Sequence, residues 1–566
     1  MRVLSLSKGA IATSAFLVGL VFFVLASCAA AAAANFTLLA APPTSHQPAG
    51  AKSPTPPLNV PAAQAPTTSA APSAAPGIAI IPGDGMNLAI VDQVDPHYVV
   101  VKLTSPAHNW FAGTFTNLPT DNPVTIGLSM EGNDTGGNKA DVSKWVGLAP
   151  VMTYADPTRY ETYEWYAKDA QGRWVSGDPF KTRRERYAGT GKVPDQSAIP
   201  ADLAGQFLSP DGKYWQPWRE VDRADFTFRT GQYVFRIVQK FSRPEATVAM
   251  RIPYTYTYLE TFIEHLLEDK APGVYVDEIG RTPGQRMLQA IRVEDLDSTA
   301  AAADRKAVLV IAREHATEPA GSWALQGILT SLLTGTAASK QFRKDTTFIF
   351  IPIQDPDGSA DSIFDRTTEW MRHAWDPKIP PEMFDYAHYI TRFVNGGRSI
   401  DMSMVLHNVE ANGCQNVEAN ECQNVFCPFI DARFPQATQD FSRGLYDALK
   451  VGGYAVPDVD STKDRGWRMY FRLYGWCAMN YGSFDLAYEV NDRYPANRLT
   501  LERLQGIGTV IADRVGGWTA GPEGLSWHKH ALEVLAKRDK EREAHFKEFG
   551  ITENQRNEVD LLVYGY

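Results

Sequence analysis

Two rhythms of apolar and polar positions divide the chain. From about residue 80 to 252, short alternating runs dominate: Tyr98–Leu103, Val124–Met130, Tyr160–Tyr166, Phe226–Thr230 and Tyr233–Gln239. Alternation at period two marks half-buried strands, because successive side chains leave a strand on opposite faces. Turn-forming stretches, Pro82-Gly83-Asp84-Gly85 and Asp169-Ala170-Gln171-Gly172, punctuate the runs. Many short strands with few helices predict an antiparallel β-sandwich over 78–252. Its tryptophans, Trp165, Trp174, Trp215 and Trp218, read as core rather than as a ligand platform.

From Tyr254 the rhythm changes. Thr261–Leu267 reads as helix. Apolar runs ending in polar clusters follow, Ala307–Ala312, Thr347–Ile353 and Met402–Leu406, with helical stretches at Ser322–Leu333 and Pro435–Leu449. Strands alternating with helices predict an α/β domain with a parallel or mixed sheet over 253–520. Residues 501–515 form its late helix. The remainder, 521–566, reads as a charged, solvated helical tail.

The N-terminal pattern is different again. Arg2 and Lys8 precede an apolar stretch from Ala10 to Ser27, the pattern of a secretory signal over 1–27. Leu25-Ala26-Ser27-Cys28 has the form of a bacterial lipobox, which makes Cys28 a candidate for lipidation; fully secreted and membrane-anchored forms both remain open. Residues 28–77 hold no acid, one lysine and ten prolines, so they read as a disordered tether. Export to the periplasm, the cell surface or the medium is the expectation.

Fifty-five basic against sixty-five acidic residues leave a net charge of −10, which excludes a phosphate-binding nucleic-acid protein. Five cysteines are too few for a disulfide scaffold. Four of them, Cys414, Cys422, Cys427 and Cys477, could form two disulfides in an exported protein. A structural zinc is the rival reading, although no Cys-x-x-Cys occurs. Residues 408–415 and 416–423 repeat each other at seven of eight positions, a tandem duplication that surface loops accept easily or that shapes a cleft rim.

His315 and Glu318 stand three apart, a spacing at which both side chains can reach one metal ion. Spacing alone does not select them, because five of the eleven histidines have glutamate three residues later: His265, His315, His407, His530 and His545. Context does. His265 lies within a helix beside Glu268, and His530 and His545 lie in the charged tail. His315 follows the apolar run Val308–Ala312, at the carboxyl end of a strand, where open α/β sheets place their ligands. Asp355-Pro356-Asp357-Gly358, His407 and Glu489 end three further strand-like runs. Alternation places Asp485 and Glu489 on one face of the last.

These motifs together resemble the zinc carboxypeptidases of the carboxypeptidase A type. Arg313 through Trp323 is similar to their first zinc motif, and 355–358 to their Asn-Pro-Asp-Gly turn. Residues 401–407 resemble the strand that delivers the third ligand, and 483–489 the strand that carries the catalytic glutamate. Ile252 through Leu259 resembles the start of the catalytic domain in the cytosolic-carboxypeptidase branch, which also carries a β-sandwich before it. The resemblance implies a mixed-sheet α/β/α catalytic domain with one Zn2+ per chain held by His315, Glu318 and His407. It implies Glu489 as general base and Arg366 as the arginine that polarises the scissile carbonyl. Where the family grips a terminal carboxylate with arginine, Trp370 to Trp375 offer Arg372 and His373; Glu369 is the nearest acid to orient the first histidine. The tyrosine that overhangs the site in the family is Tyr470, Tyr474 or Tyr481, with Tyr474 carried as the substrate-binding candidate.

The expected activity is therefore hydrolysis of C-terminal peptide or peptide-like amide bonds, with a peptide or peptide-like substrate as partner. The alternatives are a zinc amidase or deacylase that needs no free carboxylate, and a non-catalytic binding module on the same fold.

Overall fold

The computed structural model describes residues 77–105, 110–129, 150–154, 167–168, 174–175, 207–208, 214–215, 219–229, 232–268, 271–363, 366–367, 380–408, 426–428, 435–454, 472–490, 501–550 and 552. The expected signal, Cys28 and tether therefore lie outside the described residues. So do Tyr160–Tyr166, Trp165, Trp218, Glu369, Arg372, His373, Cys414, Cys422, Tyr470 and the repeat beyond Asn408. No described helix is long and apolar enough to cross a membrane.

The alternating runs at the start form two five-stranded sheets. One has the order Ala79–Ile81, Ala112–Thr116, Ala246–Ala249, Val151–Thr153, Arg219–Glu220. The other runs Arg223–Arg229, Gln232–Gln239, Val124–Ser129, Tyr98–Leu103, Leu88–Asp95. Pairing is antiparallel except between Tyr98–Leu103 and Val124–Ser129, which run parallel. The inward positions of the alternation, among them Val99, Val101, Phe115, Ile126, Leu128, Phe235 and Ile237, fill the core between them.

The second part is a seven-stranded mixed sheet. Its strands are β1 (Val274–Arg281), β2 (Met287–Val293), β3 (Lys306–Ala312), β4 (Thr346–Ile351), β5 (Met402–Asn408), β6 (Phe426–Pro428) and β7 (Phe484–Val490). They lie in the order β1-β2-β4-β3-β5-β7-β6. β4, β3, β5 and β7 pair in parallel; the pairings β1–β2, β2–β4 and β7–β6 are antiparallel. The helices are α1 (Tyr256–Glu268), α2 (Pro319–Leu332), α3 (Ala337–Arg343), α4 (Pro356–Asp361), α5 (Pro381–Asn395), α6 (Pro435–Val451), α7 (Leu473–Tyr481), α8 (Leu501–Ala520) and α9 (Pro522–Phe549).

β3 is apolar at six consecutive positions, Ala307 to Ala312, because both faces of the sheet are covered. Val308, Val310 and Ala312 face one core with Phe262 of α1, Trp323 and Ile328 of α2, Phe441 of α6, and Leu504 and Ile511 of α8. Leu309 and Ile311 face the other with Met383, Tyr386 and Ile390 of α5 and Trp476 of α7. The result is the expected α/β/α layering.

The tail is helical but not simply solvated. Its composition is charged, yet Trp527, Ala531 and Leu535 recur every four residues and are buried. The Trp527 ring packs edge-on to Phe484 at 5.0 Å, and its Nε1 donates to the Gly482 carbonyl. His528 Nδ1 lies 2.6 Å from Asp401 Oδ1. α9 thus packs against the seven-stranded sheet beside β5 and β7.

The sandwich contributes to the frame of the sheet's carboxyl edge. Its Pro-Gly-Asp-Gly turn puts the Gly85 N–H on the Ala360 carbonyl at 2.9 Å, and Asp84 accepts the Thr257 N–H of α1 at 2.7 Å. Ser105 Oγ donates to the Ser362 carbonyl beside the same turn.

Candidate metal centre

β3 ends at Ala312, and Arg313 takes a left-handed backbone conformation (φ 60°). That conformation is costly for a side-chain-bearing residue and needs support from its surroundings. Arg313 has such support: its guanidinium is buried and donates to the carbonyls of Ala316 and Tyr254 and to Ser359 Oγ. The next residues make a tight turn, with the Glu318 N–H on the His315 carbonyl at 3.2 Å, and Pro319 starts α2. His315 and Glu318 are therefore brought together by a turn before the helix, not by the helix face.

α2 lies directly on the end of β5. An added Cβ at Gly321 would stand 2.3 Å from the Leu406 carbonyl oxygen, so only glycine allows this approach. The Ala320 N–H donates to Asn408 Oδ1, and the Asn408 N–H donates to Glu318 Oε2 at 3.1 Å. These contacts bring Glu318 of one segment to His407 of another. The turn at 355–358 closes the same loop from the other side. A Cβ at Gly358 would meet Asp355 Oδ2 at 2.3 Å and the Ala316 Cβ at 2.8 Å.

The outcome is one cluster. His315 Nδ1 is 3.0 Å from Glu318 Oε1, and His407 Nδ1 is 2.9 Å from Glu318 Oε2. The three ligand atoms lie within 4.8 Å of one another. The two imidazole rings stand 4.8 Å apart. Burial pushes the Glu318 carboxyl upward, but the two histidines and their hydrogen bonds hold it well below its ordinary range. His407 is displaced the other way: burial opposes its charge, yet Glu318, Glu314 and Glu489 lift it to about 10. Such a buried knot of one carboxylate between two imidazoles is what a divalent cation can replace by taking the same atoms as ligands. Two histidine nitrogens and a carboxylate oxygen, with a fourth position left open, make the donor set of a catalytic zinc, so these residues fit the ion. No other grouping of this kind occurs among the described residues.

Glu489 stands next to this cluster. β5 and β7 run side by side with His407 directly opposite Glu489. Alternation along β7 places Asp485 on the same face, where it is buried. Arg366 is placed differently from the three candidate ligands His315, Glu318 and His407. One of its terminal nitrogens holds Asp355 at 2.8 Å and the other holds Glu382 at 3.0 Å, while Asp357 lies 3.7 Å away. Its neighbour Thr367 donates to the Glu314 carbonyl, so the arginine sits beside the metal loop without joining the cluster.

Two expectations are corrected. Tyr474 is 1% exposed and packs with Leu473, Trp476 and Tyr481 between α7 and the sheet, so it offers no surface to a substrate; Tyr481 is buried in the same layer. Cys477 is a free, buried thiol in that layer and takes no part in a disulfide. Burial raises its pKa far above the ordinary thiol value, so it is inert. Cys427 lies in β6, where only the backbone is described.

Pattern reading missed three residues. Arg313 reads as part of a motif, and its left-handed turn has no sequence mark. Glu314 reads as a spacer before His315. Arg472 is separated from Glu314 by a long stretch of chain, yet its Nη1 donates to Glu314 Oε2 at 2.9 Å.

Asp355 carries a testable consequence. It is fully buried, caps the Gly358 N–H, and has no partner for Oδ2. Burial, with Glu382 and Asp357 adding and Arg366 opposing, raises it to about 7. The folded chain therefore keeps a proton that the unfolded chain releases near pH 4. Stability should be fully present below about pH 4 and decline as pH rises to about 7, by a few kcal/mol at most. Asp355→Asn keeps the capping oxygen and removes the charge. Urea midpoints measured at pH 5 and pH 8 should fall less in the variant than in the parent; equal falls would contradict this assignment.

The comparisons with known proteins bear on the same segment. Residues 259–376 match the zinc carboxypeptidase family. This is the segment that carries His315, Glu318 and Arg366. Human cytosolic carboxypeptidase 6 is 27% identical over 128 residues, 22% of this chain and 25% of that protein. Bovine cytosolic carboxypeptidase 3 is 27% identical over 166 residues, 29% of this chain and 16% of that one. The matched stretch thus spans a quarter or less of these relatives' length. The fold extends further. A metallo-carboxypeptidase from Burkholderia cenocepacia superposes over 78% of this chain and 98% of its own, with a TM-score of 0.52 and 16% identity. One from Pseudomonas aeruginosa, in complex with (2-guanidinoethylmercapto)succinic acid, superposes over 77% and 97%, with a TM-score of 0.51 and 13% identity. Residues 259–376 thus resemble the zinc carboxypeptidases in sequence, and the chain shares the fold of the solved metallo-carboxypeptidases.

Proposed function

We propose that this protein is an exported zinc-dependent hydrolase that removes residues from the C-terminus of a peptide or peptide-like amide. The observation that carries the reading is the convergence of His315, Glu318 and His407 at the sheet's carboxyl edge, with Glu489 opposite His407. Zinc bound there would supply Lewis-acid polarisation and make water acidic enough to lose a proton near neutral pH. Glu489 is the proton carrier: it takes the proton from the attacking water and returns it to the departing amine. Glu318 and the two histidines hold the reacting centre against the rigid edge of β3 and β5. Arg366 keeps N–H donors beyond those given to Asp355 and Glu382, and 23% of its side chain is exposed; it is the proposed partner of the carbonyl oxygen. Recognition of the terminal carboxylate is assigned to Arg372 and His373. Export rests on the pattern of residues 1–28, and lipidation at Cys28 would attach the protein to a membrane.

The zinc-loaded protein should be offered matched peptides with free and with amidated C-termini. Release of C-terminal residues from the free peptides, with the amidated ones at least tenfold slower, is the expected result. Equal cleavage of both would favour the amidase or deacylase reading, and no cleavage of either would favour a binding module.

A further inference from the structure

Behind His407, on the side of the ring away from Glu318, lies a second carboxylate. Glu314 Oε2 is 3.0 Å from His407 Nε2, and the Arg472 guanidinium holds the same oxygen at 2.9 Å. Glu314 is 1% exposed and His407 is 2% exposed. We propose that Glu314, held by Arg472, is a positioning residue that orients His407 for the metal by accepting its Nε2–H. The inference rests on the zinc reading of the site.

A histidine that gives Nδ1 to a metal must carry its proton on Nε2, and a buried N–H needs an acceptor. His407 directs Nδ1 at Glu318, so Nε2 is the nitrogen that needs one. Among the described residues no hydrogen bond of good geometry takes that N–H, and the carboxylate at 3.0 Å is the group in reach. Glu314 would be a costly residue in such a place for any lesser purpose, because a carboxylate taken out of water needs compensating charge. Arg472, the residue just before α7, supplies that charge at 2.9 Å, and the His407 Nε2–H offers a donor at 3.0 Å. The left-handed turn at Arg313 makes the placement available. It sends His315 to one side of Glu318 and its immediate neighbour Glu314 to the rear of the other histidine. Arg472 then links the metal loop after β3 to the helix that precedes β7, the strand of Glu489. The protein therefore has a continuous path of polar contacts, Arg472 to Glu314 to His407 to Glu318, that fixes one ligand from behind.

The test is zinc affinity, measured by chelator competition on the full protein, with selectively 15N-labelled histidines observed by NMR. Glu314→Gln should weaken zinc binding by about tenfold to a hundredfold, as loss of an outer hydrogen bond to a metal-bound histidine does elsewhere. His407 in the loaded parent should show its proton on Nε2, and the variant should show that proton in faster exchange. Glu314→Asp should recover part of the affinity. Arg472→Gln leaves the carboxylate in place and should weaken binding by a smaller factor; it also serves if Glu314→Gln does not fold. An affinity within twofold of the parent in Glu314→Gln, or in Arg472→Gln where the first does not fold, would overturn the inference while leaving the metal site intact. A parent chain that binds no zinc would instead remove the reading on which it rests.

Discussion

Glu489→Gln is expected to keep the zinc and lose turnover by a factor of about 10² to 10⁴, the usual worth of a positioned general base. Glutamine preserves the size and the strand position, so β7 should keep its pairing with β5, where residue 489 faces His407. What the change removes is the carboxylate that accepts the proton of the attacking water. The amide cannot carry a proton and return it to the departing amine. The readout is kcat on a free-C-terminus peptide, paired with the metal content of the same sample. Turnover within a factor of three of the parent, at equal zinc, would take the base role away from Glu489. Loss of both activity and zinc would mean that Glu489 holds the site together instead.

His407→Ala should cost both metal and stability. The imidazole is buried between Glu318 and Glu314, at 2.9 and 3.0 Å. Removing it leaves two buried carboxylates without their shared cation, and breaking a buried pair in that way costs about 3–5 kcal/mol. The cavity left by the ring adds to the loss. The prediction is zinc below a tenth of an equivalent and a clear fall in the urea midpoint. His265→Ala is the control. His265 lies on α1 with Glu268 at 3.9 Å, both partly in solvent, and an exposed pair of this kind contributes less than about 1 kcal/mol. A His407→Ala protein that held zinc as the parent does would remove His407 from the ligand set.

Much of this site was legible because its residues end apolar runs. Ala307–Ala312 and Met402–Leu406 are strands buried on both faces, so the polar residues that follow them mark the sheet's edge. The period-two pattern of 484–490 likewise fixed the side on which Glu489 points. Boundaries drifted by a few residues, as at α2, which begins at Pro319 rather than Ser322. The tail misled because its charge hides a four-residue stripe of Trp527, Ala531 and Leu535. Tyr474 misled because nothing in local pattern says which face of a nine-residue helix meets the sheet, and α7 is apolar nearly all round. Glu314 and Arg472 could not be found at all. Neighbours in sequence ordinarily point apart, and it takes the turn at Arg313 to send Glu314 to a histidine far along the chain. The expected arrangement around Arg372 and His373 lies outside the described residues, so terminal-carboxylate recognition rests on sequence alone.

In the proposed function, His315, Glu318 and His407 hold one catalytic zinc. Elemental analysis of the purified protein, before and after reconstitution with zinc and removal of excess metal, tests it most directly. About one zinc per chain is expected in the parent and none in His315→Ala. A parent that retains no zinc after reconstitution, or a His315→Ala variant that retains a full equivalent, would contradict it.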